Sequence, residues 1–269
     1  MQSLKLISIS SYARLAALAA FIAVFCPLAA LVAGIMRLFM LFGLVKTVPA
    51  SINSYAARPF SAVILAILGI RVHVEGQKHL ESHRPCVFVA NHQSALDAIT
   101  MGRVCPRRTA SFGKKEILKI PFFGLYYIAT GNVFIDRMNP KNSAGTLAWA
   151  ASYIRKDRAS AWFFPEGTRN RSGKGFLPFK RGAFQLAVDT GVPVVPVVSS
   201  PLGSVLKSKP LRIFPGTVVL RVLPPIHPDG TGRDAATRLM SVTRSAMLVV
   251  YESRPPSLCM LSKKVEPSG

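Results

Sequence analysis

The stretch Val87-Phe88-Val89-Ala90-Asn91-His92-Gln93-Ser94-Ala95-Leu96-Asp97 decides how this chain folds. A short run of strand-forming apolar residues stops at Asn91-His92-Gln93. Ser94-x-x-Asp97 then has the form of a capping box, with a serine at the N-cap and a carboxylate at the third helical position. The pattern predicts a buried strand over 86–90, a polar turn, and a helix starting at Ser94. Polar residues crowd a strand end either to turn the chain or to do chemistry.

Working outward, the same grammar recurs. Strands are expected over 71–75, 109–114, 132–135, 159–164, 192–198 and 218–222, and helices over 143–156, 183–190 and 234–251. Strands alternating with helices mean an α/β layered domain. Polar clusters follow three of the strands: Asn91-His92, Asp136-Arg137 and Glu166 to Arg169. In open α/β sheets the carboxyl edge of the strands is where ligands sit. The tail after Arg254, rich in Pro, Ser and Lys, reads as disordered.

Composition narrows the partners. Half of the residues are hydrophobic and the mean hydropathy is positive, yet the formal net charge is +22, from 34 Lys+Arg against 12 Asp+Glu. An apolar, strongly basic chain suits an anionic membrane surface or an anionic substrate. The basic residues are scattered among apolar segments instead of gathered in a tract, which argues against nucleic acid. The four cysteines (Cys26, Cys86, Cys105, Cys259) are far apart and form no CxxC pair, so they read as reduced thiols and not as a metal site. The triplet Asn170-Arg171-Ser172 is a sequon in form and reads as incidental.

Residues 15–36 contain no charge across 22 positions, roughly 33 Å of helix, enough to cross the hydrocarbon layer. A second apolar stretch covers 38–45. A membrane anchor is the expectation, ahead of a cleaved signal peptide or a buried core helix. Pro27 leaves open a helical hairpin dipping into one leaflet. Arg37, Lys46, Arg58 and Arg71 on the C-terminal side outnumber Lys5 and Arg14, so the positive-inside rule places the bulk of the chain on the cytoplasmic face. Residues 59–70 are apolar but too short to span and read as an interfacial or core helix. The organisation expected is an anchor region over 1–58, a catalytic or binding domain over 59–253 and the tail over 254–269.

His92 and Asp97 could form a base pair of functional groups, the carboxylate fixing the imidazole tautomer. Five residues on a regular helix leave two side chains about 140° apart. The two meet only if His92 lies in the turn and Asp97 in the first turn of the helix. On the residues alone, Asp97 serving only the helix end and His92 only the turn stays open. In Phe163-Phe164-Pro165-Glu166-Gly167-Thr168-Arg169, Arg169 suits bidentate phosphate binding, and Glu166 could accept from a substrate hydroxyl or hold Arg169. Gly167 with Gly173-Lys174 fails the P-loop spacing, and neither GxSxG nor HExxH occurs. Arg137 adds a cation beyond a strand. Lys115 and Lys180 are weaker candidates, because basic residues near a membrane usually face solvent or lipid headgroups.

Taken together, these motifs resemble the glycerolipid acyltransferases, most closely the branch acting on 1-acyl-sn-glycerol 3-phosphate. They occur in family order: NHxxxxD over 91–97, GNVFIDR over 131–137, FPEGTR over 164–169 and VPVVPVV over 192–198. The resemblance covers roughly residues 71–223. It implies a mixed sheet flanked by helices, with an N-terminal membrane-anchoring helix or hairpin. It implies transfer of a fatty acyl group from acyl-CoA or acyl carrier protein to the sn-2 hydroxyl of lysophosphatidic acid. His92, oriented by Asp97, would be the general base, with no covalent acyl-enzyme. Arg137, Glu166, Gly167, Thr168 and Arg169, with Lys115 and Lys180, would grip the glycerophosphate. Asn91 would shape the turn or help stabilise the oxyanion. No metal or cofactor is implied, acyl-CoA being a co-substrate, and the partners are membrane lipids and not nucleic acid. Other acceptors (glycerol 3-phosphate, dihydroxyacetone phosphate, another lysophospholipid) and a non-catalytic lipid-binding protein are the alternatives.

Overall fold

Strand β2 (Val87–Ala90) is buried at all four positions, as an interior strand of a parallel sheet with helices on both faces must be. Its side chains alternate between two cores. Val87 and Val89 join one apolar cluster, and Phe88 and Ala90 join another. The computed structural model describes residues 2–43, 53–135, 140–172, 174–208 and 211–253. The expected tail, residues 44–52 with the end of the second apolar stretch, and the Asp136-Arg137 cluster lie outside them.

Seven strands form the main sheet: β1 (Ile70–Glu75), β2, β3 (Thr109–Lys114), β4 (Val133–Ile135), β5 (Ser160–Phe163), β6 (Val194–Ser199) and β9 (Gly216–Val222). Their order is β1-β9-β6-β2-β5-β3-β4. All neighbours are parallel except β6 and β9, so the expected mixed sheet is present. The last strand lies inside the sheet, between β1 and β6. A separate hairpin, β7 (Leu206–Ser208) with β8 (Leu211–Ile213), was not expected from the sequence.

Helices α5 (Pro140–Asp157), α6 (Gly182–Thr190) and α7 (Gly232–Glu252) cover the Val87 face. Helices α1 (Gln2–Leu41), α2 (Asn53–Leu68), α3 (Ala95–Val104) and α4 (Phe123–Ala129) contribute to the Phe88 side. The short α4 is a further element that the sequence did not predict.

The stretch Tyr12–Leu41 of α1 is long and apolar enough to cross a membrane. The helix runs continuously through Pro27 to Leu41, so the two apolar stretches expected over 15–36 and 38–45 begin as one element. It packs antiparallel to α2. Arg14 Nη1 donates to Leu68 O at 3.3 Å, while Phe21 and Phe25 meet Phe60. Helix α2 also starts earlier than expected and carries Pro59 inside it. An interior proline costs about 3 kcal/mol. Ala57, Phe60, Ser61, Ile64, Leu65 and Leu68 are all buried, a continuous helical stripe whose packing outweighs that cost. Helix α3 lies close against it: a Cβ on Gly102 would come within 2.3 Å of Ser61 Oγ.

Candidate active site

Strands β2 to β6 run parallel, so their carboxyl ends share one edge of the sheet. His92 follows β2 by two residues, Glu166 follows β5 by three, and Lys115 directly follows β3. The convergence expected of the polar clusters is therefore built for His92 and Glu166.

Ser94 is the N-cap of α3 in extended backbone, its side chain accepts from Leu96 N–H, and Asp97 completes the capping box. Asp97 is fully buried. Its Oδ2 lies 3.0 Å from His92 Nδ1 and accepts the backbone N–H groups of Ser94 (2.7 Å) and Gln93. This is the placement that the five-residue spacing requires: histidine in the turn, carboxylate in the first turn. The His92 ring and two backbone N–H groups thus converge on one carboxylate oxygen. An Nδ1–H directed at Asp97 leaves Nε2 as the unprotonated ring nitrogen.

The rest of His92 is held from three other directions. Its N–H donates to Glu166 Oε1 at 2.7 Å, its carbonyl accepts from Asn170 N–H at 2.7 Å, and its ring stacks on Phe164 with centroids 4.2 Å apart. The side chain is 16% exposed. The imidazole is thus fixed in position with a narrow outlet to solvent.

Glu166 is 3% exposed, and its second oxygen is also engaged: Oε2 accepts from Leu177 N–H at 2.8 Å. One carboxylate ties the turn after β2 to the loop before α6. Burial pushes its carboxyl above the usual carboxylate range, against the backbone N–H groups of His92 and Leu177, which pull it down. Gly167 turns the chain at φ +72, and a Cβ there would come within 2.8 Å of Lys180 Cε. Lys180, Thr168 and Arg169 are exposed around this turn.

Asn91 is 1% exposed, and both ends of its amide meet the backbone of Ser199. Nδ2 donates to Ser199 O (3.2 Å), and Ser199 N–H donates to Oδ1 (2.7 Å). Gln93 repeats the device one loop further, bonding Ser200 O and Leu202 N–H. The sequence reading singled out neither Gln93 nor Phe164. It also took Asn170 only as part of an incidental sequon. Asn170 is buried, and its Nδ2 donates to Lys174 O and Gly175 O. The amide a glycan would need is therefore already engaged.

Among the described residues, no group of three or more His, Cys, Asp or Glu could hold a metal. The described cysteines are free and buried. Burial pushes the Cys86 and Cys105 thiols up to about 12, leaving them protonated and poor nucleophiles.

Comparison with known proteins identifies the family of the chain. The acyltransferase family model matches residues 71–200. The 1-acyl-sn-glycerol-3-phosphate acyltransferase of Escherichia coli (strain K12) is 39% identical over 181 residues, covering 67% of this chain and 73% of that protein. The chain belongs to the glycerolipid acyltransferase family. The human 1-acyl-sn-glycerol-3-phosphate acyltransferase alpha is also 39% identical, over 69% of this chain and 65% of its own length. The crystal structure of the 1-acyl-sn-glycerophosphate (LPA) acyltransferase PlsC from Thermotoga maritima superposes with a TM-score of 0.61 at 26% identity. It covers 75% of this chain and 80% of that one. The resemblance read from four motifs is therefore a family relationship. The first of those motifs, NHxxxxD, is the strand–turn–helix junction that carries His92 and Asp97 in this acyltransferase.

Proposed function

We propose that this acyltransferase moves a fatty acyl group from an acyl thioester to the sn-2 hydroxyl of lysophosphatidic acid, giving phosphatidic acid for phospholipid synthesis. His92 Nε2 takes the hydroxyl proton as the oxygen attacks the thioester carbonyl. The new C–O bond forms, the C–S bond breaks, and the proton passes from His92 to the departing thiolate. Asp97 holds the ring tautomer and stabilises the imidazolium. The observation that carries the reading is the 3.0 Å His92–Asp97 contact on a ring that is clamped on its face and at both ends of its backbone. No side-chain nucleophile is needed, which agrees with the protonated buried thiols.

Arg169, Thr168 and Lys180, exposed around the Gly167 turn, with Lys115 directly after β3 and Arg137 on the strength of its sequence motif, are the groups we assign to the glycerophosphate. We assign Glu166 to holding the His92 turn, because both its oxygens already accept backbone N–H groups. For the same reason Asn91 is a tie between strands and not an oxyanion donor. Acyl-CoA and acyl carrier protein are both acidic donors suited to a chain of net charge +22. The acyltransferase works at a membrane through α1, with its domain on the cytoplasmic face and no metal or cofactor.

The test supplies purified protein with labelled acyl-CoA or acyl carrier protein and separate acceptors: lysophosphatidic acid, glycerol 3-phosphate, dihydroxyacetone phosphate and other lysophospholipids. Phosphatidic acid is expected from wild type and not from His92→Ala. Undiminished product with His92→Ala would overturn the mechanism, and preference for another acceptor would overturn the substrate.

A further inference from the structure

Between β3 and β4 the chain leaves the sheet edge on an excursion of which the proposed reaction uses only Lys115. A 3-10 turn (Lys115–Lys119) leads through Pro121 into α4. Leu118, Ile120, Phe122, Leu125 and Ile128 are between 41% and 60% exposed along it. The opposite side of α4 is packed: Tyr126 and Ala129 are buried. Five large apolar side chains are exposed within eleven residues, and such concentrations of apolar surface mark interaction surfaces.

What lies beside the patch indicates its partner. Helix α1 runs along α4, with Tyr126 against Phe25 and Ala129 clustered with Ala30 and Ala33. Arg37 Nη2 donates to Ile128 O. Val24, Leu28, Leu31 and Ile35 form an exposed stripe on α1 at helical spacing. Contacts with the domain extend from Arg14 to Arg37, about 34 Å along the axis. A bilayer that covers the outer stripe of α1 therefore meets the domain along its side, where α4 stands. Lys115 and Lys119 are exposed at the start of the excursion, on a chain whose excess of cations suits anionic headgroups.

We infer that the β3–β4 excursion is a second lipid-contacting element, its Leu118, Ile120, Phe122, Leu125 and Ile128 side chains seated in the same leaflet as the outer face of α1. This surface does not depend on which acceptor the enzyme uses.

The test uses the full chain with Cys259→Ser. Single cysteines replace Leu125 or Ile120, Leu31 on α1, and Val242 on α7 across the sheet, each labelled with a nitrobenzoxadiazole fluorophore. The proteins are bound to vesicles of phosphatidylglycerol and phosphatidylcholine with and without spin-labelled phosphatidylcholine. Labels at 125, 120 and 31 are expected to lose more than half of their emission to the spin label, and the label at 242 to keep nearly all of it. Positions 125 and 120 lie in different parts of the excursion, so misfolding of one variant leaves the other to report. Unquenched labels at both positions beside a quenched label at Leu31→Cys would overturn the inference, including where the patch is found to bury against a second copy of the chain.

Discussion

Replacing Glu166 by Gln should separate holding the catalytic turn from holding the substrate. Glutamine keeps the shape and one acceptor, but its NH2 group faces a backbone N–H where Glu166 presented an oxygen. One of the bonds at 2.7 and 2.8 Å is lost, and a buried donor is left unpaired. Hydrogen bonds to a charged group contribute about 1.5–3 kcal/mol. Glutamine also avoids the desolvation cost that raises the Glu166 carboxyl, which offsets the lost bond, and the unpaired donor leaves a net loss of about 2 kcal/mol. For a domain of this size that lowers Tm by roughly 4–8 °C. The His92 backbone loosens with it, and a misplacement of about 1 Å costs on the order of 10²-fold in rate. Steady-state release of free thiol, measured across acceptor concentrations on fully folded protein, should show kcat down about 10- to 100-fold with the acceptor KM nearly unchanged. An acceptor KM raised tenfold at unchanged kcat and Tm would refute the holding role and restore a direct contact with substrate.

The same carboxyl gives a pH signature. Its folded-state pKa is raised, so the folded chain binds the proton more tightly than the unfolded one. That contribution is present below the ordinary glutamate pKa of about 4.3 and is lost as pH rises through the raised value. Thermal melts at several pH values should show the advantage of wild type over Glu166→Gln shrinking as pH increases; a constant gap would contradict the raised pKa. Asn91→Ala leaves the buried Ser199 N–H and C=O without their partners. It should lower Tm by roughly 5–10 °C while costing less than tenfold in kcat, whereas an oxyanion donor would cost about 10²–10³. Asp97→Asn should reduce initial rates by roughly 10²–10⁴, because the ring loses the acceptor that fixes its tautomer; rates within a factor of three of wild type would remove Asp97 from the mechanism.

What was legible in the sequence was what neighbouring residues decide. The Ser94 cap, the strand before it and the meeting of His92 with Asp97 all lie within eleven positions. Strands such as β2 and β6 announce themselves because both faces are buried. Helix α4 escaped because Leu125 and Ile128 face outward and are as apolar as the buried Tyr126 and Ala129, which erases the helical period. The β7–β8 hairpin escaped because three-residue strands carry no period. Helix α2 passed through Pro59 because a buried stripe outweighed a local breaker. The position of β9 inside the sheet depends on which strands pair, and no local pattern encodes that. At the site, Glu166 was visible as a carboxylate after a strand. Its partners were not, since Leu177 lies eleven residues away and His92 seventy-four. Arg137 lies outside the described residues.

The short junction also couples two roles that can be pulled apart. Asp97 belongs to the capping box of α3 and is also the partner of His92, which could mean that weakening the cap weakens catalysis. The donors on Asp97 Oδ2 argue otherwise. They are His92 Nδ1 and the backbone N–H groups of Gln93 and Ser94; the Ser94 hydroxyl is not among them. That hydroxyl serves the helix end, accepting from Leu96 N–H at 3.2 Å and, in the capping box, from the backbone N–H of Asp97. Ser94→Ala should therefore cost about 1 kcal/mol of stability, read as a Tm lower by roughly 2–4 °C. It should leave kcat within about threefold of wild type, because every donor to the catalytic oxygen survives. A loss of rate comparable to that of Asp97→Asn would mean that the geometry of the first turn, and not the carboxylate itself, sets the position of the base.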